Sequence, residues 1–167
     1  MNTTKTVTKQ VFLHKTFYFT PLYATGMSSV KKMVVDWKGN LRFDSRNEKG
    51  LTVSIDVPKD HGGEETALSP TENLLASLAA CTSIGVLGIL KKKRQNVTDY
   101  AVEVTAEKRE DPPPRVFTKI HLKYKIKGEN LSSQAVETAI KLSEEKYCAV
   151  GEMLKKSVEI TSSFEIQ

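Results

Sequence analysis

Six stretches of the chain have the alternating or β-branched pattern of β-strands. They are residues 30–37, 41–45, 51–57, 100–110, 116–128 and 157–166. The fifth stretch alternates most regularly, which predicts that its even-numbered residues, from Val116 and Thr118 to Ile126, face the core. In the third stretch, the same rule predicts that Asp56 lies on the polar face, opposite Ile55.

An uncharged run of seventeen residues, 74–90, predicts a long helix over residues 70–94. Ser69 is a suitable N-cap, Pro70 fits the first helical position, and Glu72 completes a capping box. The run approaches the length of a membrane span, but serine, threonine and glycine residues dilute it. We therefore expect a fully buried core helix and no membrane association.

A second helical pattern covers residues 132–146, breaks around Cys148 and resumes over 152–156. Strands and helices in this order predict the α+β class, with an antiparallel sheet and two main helices. We expect residues 30–167 to form a single domain. Residues 1–29 are an uncertain N-terminal extension or arm, in which a lysine and a histidine interrupt any secretory signal.

The overall composition excludes several classes of protein. A net charge of +5 over 167 residues is mild, and the chain has no recognisable nucleic-acid motif and few interleaved aromatic residues, so we expect no nucleic-acid partner. Two cysteines are too few for a secreted disulfide scaffold. These features indicate a cytoplasmic protein.

The two cysteines, Cys81 and Cys148, are the main candidates for chemistry. Cys81 falls inside the apolar helix, where a cysteine is often a small inert core residue, and a reactive thiolate there would need a nearby cation. Cys148 falls at a helix junction, where it is either a small residue at a bend or a thiol whose pKa the following helix turn lowers. Their positions alone leave both alternatives open.

Three segments in order resemble the OsmC/Ohr family of osmotically inducible and organic hydroperoxide resistance proteins, nearest its YhfA-like branch. They are SPTENLLASLAACTSIGVLGILKKKRQ (69–95), PPRVFTKIHLKYKIKGENL (113–131) and AIKLSEEKYCAVGEMLKKSVEI (139–160). The likeness covers most of residues 30–167. It implies an OsmC-like intertwined homodimer with two active sites at the subunit interface.

The resemblance also implies a thiol-dependent peroxidase that reduces organic hydroperoxides. Cys81 corresponds to the peroxidatic cysteine, which becomes a sulfenic acid, and Cys148 to the cysteine that resolves it as a disulfide. An external dithiol, such as a lipoyl group, then reduces the disulfide. No cofactor is required, because the thiols carry the redox chemistry.

Two helper residues belong to the family's site: an arginine that stabilises the thiolate and a glutamate that orients this arginine. Arg42 is the best match for the arginine, with Arg46 and Arg115 as alternatives. The glutamate directly follows the helix-start proline in the peroxidases, but here that place holds Thr71, and the acidic residue is Glu72. One residue turns the side chain by about 100° around a helix, so Glu72 either orients the arginine or only caps the helix.

The displaced glutamate supports an alternative function. The chain would then be a non-enzymatic redox sensor or a small hydrophobic-ligand-binding protein of the same fold. A basic nucleic-acid-binding module is a third, less favoured alternative, because the lysines of residues 119–127 fit the solvated face of a sheet.

Overall fold

The computed structural model describes residues 30–167, in which the six strands form two three-stranded sheets. The first sheet is antiparallel throughout and consists of β1 (Met33–Trp37), β2 (Phe43–Asn47) and β3 (Thr52–Ile55). The second consists of β4 (Asn96–Lys108), β5 (Phe117–Glu129) and β6 (Glu159–Ile166). In this sheet β4 pairs antiparallel with β5, whereas β6 runs parallel to β5. The predicted arm, residues 1–29, lies outside the described residues.

Three α-helices accompany the sheets: α1 (Pro70–Lys92), α2 (Ser133–Leu142) and α3 (Ala149–Leu154). The predicted capping box of α1 is present, because Ser69 Oγ accepts from the Glu72 N–H and a Glu72 carboxylate oxygen accepts from the Ser69 N–H. A single π-helical turn, Ser143–Tyr147, continues α2 up to Cys148. The α+β class is confirmed, with one parallel strand pair that the sequence pattern did not indicate.

The core lies between the second sheet and the helices. β5 contributes fully buried alternate side chains, which pack with one buried stripe of α1 and one of α2. These residues are Ile120, Leu122, Tyr124 and Ile126 from β5, Leu78, Val86 and Leu90 from α1, and Val136, Ala139 and Ile140 from α2. Burial of each valine, leucine or isoleucine side chain in this cluster contributes about 1.5–3 kcal/mol to stability.

The start of β5 departs from the predicted alternation. Val116 and Thr118 are exposed, and Phe117 is buried instead. The cause is a register shift: Lys108 of β4 pairs with Phe117 while its neighbour Glu107 pairs with Lys119, so Thr118 has no opposite residue. Because of this extra residue, the side chains of β5 before it point to the opposite face of the sheet from the one that the alternation predicts.

Helix α1 is not fully buried within the chain, contrary to the expectation from its sequence. Only the stripe from Leu78 to Leu90 faces the core. On the opposite side Ile84 is 76% exposed, and Leu87, beside the stripe, and Leu74, one turn before it, are exposed too. By length and composition alone, α1 is also the one helix within residues 30–167 that could cross a membrane. Contiguous exposed apolar faces of this kind are typical of interaction surfaces.

Asp56 directly follows β3 and is only 1% exposed, although the alternation predicts it on the polar face of its strand. The loop of residues 57–68 folds back over it. The Asp56 carboxylate accepts hydrogen bonds from the N–H groups of Val57 and Thr66, at 2.8 and 3.0 Å, and from the Thr66 hydroxyl at 2.8 Å. These bonds, led by the Thr66 N–H, lower the pKa of Asp56 from 3.8 to about 2.

Replacement of this carboxylate is expected to make the protein less stable in a pH-dependent way. Because the folded-state pKa of Asp56 lies below its unfolded-state value, its contribution is complete above pH 3.8 and is lost as the pH falls through about 2. Thermal unfolding of Asp56→Asn should therefore occur below the wild-type temperature at pH 6, and the two curves should converge near pH 2. A constant difference from pH 6 to pH 2 would contradict this account.

Candidate functional site: two thiols between α1 and the 143–148 turn

The crossing of α1 with the turn of residues 143–148 is the first determinant of the site. Ser143 is fully buried there, and its hydroxyl donates to the backbone carbonyl of Thr82 at 2.7 Å. Gly85 permits this approach, because a Cβ at that position would lie 2.2 Å from Ser143 Oγ. The glycine that diluted the apolar run in the sequence is therefore what brings the two segments together.

Cys148 sits at the end of the π-helical turn and at the start of α3. Its N–H donates to the Ser143 carbonyl, and its sulfur accepts from the Gly151 N–H at 3.2 Å, as an N-cap side chain does. The helix junction is thus present, but of the two alternatives for Cys148 the lowered pKa is not the net result. Burial raises the pKa of the Cys148 thiol to about 11 and outweighs the effect of the Gly151 N–H.

The fold brings the two thiols together although they are 67 residues apart in the chain. On α1, Leu78 and Thr82 flank Cys81 and line the cavity that Cys148 borders, and the nearby Cys81 thiol raises the pKa of Cys148 further. Both thiols are free in this structure. Cys148 is 2% exposed, whereas Cys81 is half-buried on α1. Cys148 is therefore a protonated thiol at neutral pH, beside a more accessible Cys81.

Each thiol lines a different depression. Cys81 borders an apolar groove of about 610 Å³ between α1 and Tyr147, with Gly85 and Gly88 in its floor and Lys92 at one end. Cys148 borders a smaller cavity of about 180 Å³, lined by apolar residues together with Glu144, Glu145 and Lys155. The site therefore combines a wide apolar approach to Cys81 with a narrow, partly charged one to Cys148.

A polar group that sequence reasoning missed lies beside this cavity. Glu144 accepts hydrogen bonds from the Tyr124 hydroxyl at 3.0 Å and from the Ser162 hydroxyl at 3.2 Å, and so ties the turn to β5 and β6. Burial raises the pKa of Tyr124, and it raises that of the neighbouring Tyr100 to about 12. Both tyrosines therefore stay protonated. The one signal of this contact in the sequence was the position of Tyr124 among the inward-facing residues of β5.

The three candidate arginines lie elsewhere. Arg42, just before β2, has one side-chain hydrogen bond among the described residues, 3.4 Å from its Nη1 to the Thr66 hydroxyl. Arg46 forms an ion pair with Asp36 of β1 at 2.9 Å. Arg115 is exposed at the end of the proline corner. Within the described chain none of them lines the groove of Cys81.

Glu72 has a defined structural role. It closes the capping box of α1, and hydrogen bonds from Ser69 lower its pKa, with a smaller contribution from the charge of Lys108. Lys108 also donates to the hydroxyl of Thr71, the residue in the place of the family's glutamate. Neither Thr71 nor Glu72 forms a hydrogen bond to an arginine within the described residues.

Comparison with known proteins agrees with this architecture. The OsmC family model, described as "OsmC-like protein", matches residues 62–163. The chain belongs to the OsmC family. It is similar to protein YhfA of Escherichia coli strain K12, with 40% identity over 132 residues that cover 79% of this chain and 95% of YhfA.

Solved structures have the same fold. A hypothetical protein from Aquifex aeolicus VF5 superposes with a TM-score of 0.73 and 34% identity, over 83% of this chain and 97% of that one. An organic hydroperoxide resistance protein OsmC from Legionella pneumophila superposes with a TM-score of 0.62 and 16% identity, over 84% of this chain and 99% of its own. At that identity the second likeness concerns the fold alone.

Proposed function

We propose that the protein is a thiol-dependent peroxidase that reduces organic hydroperoxides, with Cys81 as nucleophile and Cys148 as resolving thiol. The observation that supports this most strongly is the juxtaposition of the two free thiols across the crossing of α1 and the 143–148 turn. The difference in burial between the thiols supports the assignment of roles. The pKa of about 11 keeps Cys148 protonated, and therefore unreactive toward hydroperoxide, before Cys81 is oxidised. An apolar groove beside Cys81 suits an organic rather than an inorganic peroxide.

The reaction has three balanced steps. The Cys81 thiolate attacks the terminal oxygen of the hydroperoxide, the O–O bond breaks, and protonation of the leaving alkoxide gives an alcohol and a Cys81 sulfenic acid. The Cys148 sulfur then attacks the sulfenic sulfur, which forms the disulfide and releases water. A dithiol, for which a lipoyl group is the proposed source, reduces this disulfide by two exchange steps and becomes a cyclic disulfide itself.

A homodimer is part of the proposal. The exposed apolar face of α1 is accompanied by a second one on the first sheet, where Met33, Val35 and Trp37 share one side of β1 and are all more than half exposed. Two large exposed apolar faces on one chain are typical of an obligate interface. In the proposed dimer, the first sheet of one copy covers α1 of the other copy, and the reverse holds for the second pair of faces.

The dimer would also complete the site. Arg42 directly precedes β2 of the first sheet, and its five N–H donors have a single hydrogen bond, to Thr66, within the described chain. An intertwined arrangement would carry this arginine to a Cys81 thiolate at the interface. The cytoplasm, a reducing compartment, is the proposed location, because the cycle requires both thiols to be restored.

The peptide map of the protein after one equivalent of cumene hydroperoxide tests the proposed pair. We expect the mass to fall by two hydrogens and the peptides that contain Cys81 and Cys148 to be joined by a disulfide. Oxygen addition at either cysteine, with the other thiol still free, would contradict the proposal. Cys148→Ser is the control, and in this variant a dimedone adduct should appear at Cys81.

A second candidate function rests on the position of Glu72. Because Glu72 caps α1 and binds no arginine within residues 30–167, the chain would serve as a redox sensor or as a carrier of small hydrophobic ligands in the Cys81 groove. This function predicts disulfide formation without sustained turnover, or a lipid-like molecule that copurifies with the protein. Native mass spectrometry of freshly purified protein separates the carrier from the sensor, because only the carrier has the additional mass of a bound ligand.

A further inference from the structure

Arg42 is held by a chain of hydrogen bonds that begins at a buried carboxylate. Thr66 Oγ1 donates its only proton to Asp56 Oδ2 at 2.8 Å, so the acceptor side of the same hydroxyl is left for Arg42 Nη1, 3.4 Å away. The Thr66 N–H donates to the same carboxylate oxygen at 3.0 Å, which fixes the residue at its backbone as well.

The loop that carries Thr66 is itself closely fitted to β3. A Cβ at Gly63 would lie 2.0 Å from the Val57 carbonyl oxygen, so only glycine allows the loop to fold back at this point. The loop continues directly into Ser69, the N-cap of α1. Asp56, Thr66 and Arg42 thus connect the first sheet to the beginning of the helix that carries Cys81.

We infer that Asp56, through the Thr66 hydroxyl, is the positioning residue for Arg42 and replaces the glutamate that related peroxidases have directly after the helix-start proline. Both residues near that place are engaged: Thr71 accepts from Lys108, and Glu72 closes the capping box. A carboxylate therefore still directs the arginine, but it comes from β3 and acts through a hydroxyl. This inference rests on the proposed function of Arg42.

Alkylation of Cys81 by iodoacetamide at pH 7 tests the inference without a requirement for turnover. In a Cys148→Ser background Cys81 is the only thiol, because the chain has two cysteines. We expect Arg42→Ala and Thr66→Val each to slow the reaction, the latter by about tenfold, and Thr66→Ser to restore the rate. Thr98→Val, an exposed change on β4, is the matched control and should leave the rate unchanged.

A double-mutant cycle separates positioning from a general loss of structure. If Thr66 acts through Arg42, Thr66→Val should have almost no further effect when Arg42 is already alanine. Additive effects, or an Arg42→Ala variant that reacts like the parent, would overturn the inference. Failure of this inference is distinct from failure of the proposed function. If only the proposed function fails, the variants show the expected alkylation rates, but the wild-type protein does not turn over hydroperoxide.

Discussion

Cys81→Ser is expected to lose hydroperoxide turnover by at least about a thousandfold, because a serine hydroxyl is not ionised at neutral pH and cannot attack the O–O bond. Cys148→Ser should behave differently. Its Cys81 still reacts with the first molecule of hydroperoxide, but without the resolving thiol the sulfenic acid persists and is oxidised further. The measurement is alcohol formed per subunit with an alkyl hydroperoxide and dihydrolipoamide, in single-turnover and steady-state experiments.

The two variants are matched controls for each other, since both replace a sulfur by an oxygen at the same crossing. Loss of the first turnover in Cys148→Ser but not in Cys81→Ser would reverse the assignment of roles. Equal retention of turnover in both variants would exclude a thiol mechanism. Circular dichroism of each variant establishes that its helices and strands have remained folded.

Ile84→Glu is expected to convert the proposed dimer to a monomer. Ile84 is 76% exposed in the chain, so the change costs little in the monomer, whereas an unpaired carboxylate in an apolar interface is strongly unfavourable. We expect dimerisation to weaken at least about a hundredfold. Gln134→Glu, which adds the same charge at an exposed position of α2, should leave the dimer intact.

Trp37 provides a direct optical measurement of the same interface. It is the only tryptophan of the chain and is 68% exposed on the apolar face of β1. Its emission should be that of a buried indole in the wild type and that of a solvated indole in Ile84→Glu, in parallel with the mass from light scattering. A wild-type monomer with solvated Trp37 would contradict the interface and leave both apolar faces unexplained.

The elements of the fold were predictable because they depend on local patterns. Helix α1 has all its start signals within four residues, from Ser69 to Glu72, and both the capping box and the first-position proline are present. The strands of the second sheet follow from alternation, since their buried face is set by the side-chain period of two. The turn around Gly39 between β1 and β2 has the expected turn residues.

The departures from prediction have non-local causes. Asp56 follows the alternation of its strand, but its burial depends on a loop that returns ten residues later at Thr66. The start of β5 depends on the register with β4, which alternation within one strand does not contain. The exposed face of α1 was not predictable, because an apolar run has the same sequence whether or not its own chain covers every side of the helix.

The candidate site was predictable only in part, for the same reason. Residue spacing left Cys81 and Cys148 as separate thiols, and the family resemblance alone suggested a pair. Their closeness requires the Gly85–Ser143 approach, which joins segments about sixty residues apart. The helix junction left the pKa of Cys148 open, and the pKa is raised because burial outweighs the hydrogen bond from the Gly151 N–H.

The measurement that tests the central claim most directly is the number of hydroperoxide molecules that the wild-type protein reduces per subunit with excess dihydrolipoamide. The proposed cycle restores both thiols after every turnover, so alcohol formation should continue until the hydroperoxide or the dithiol is exhausted. It should also depend on Cys81. Alcohol formation that stops at one molecule per subunit, or that persists in Cys81→Ser, would contradict the assignment of a thiol peroxidase.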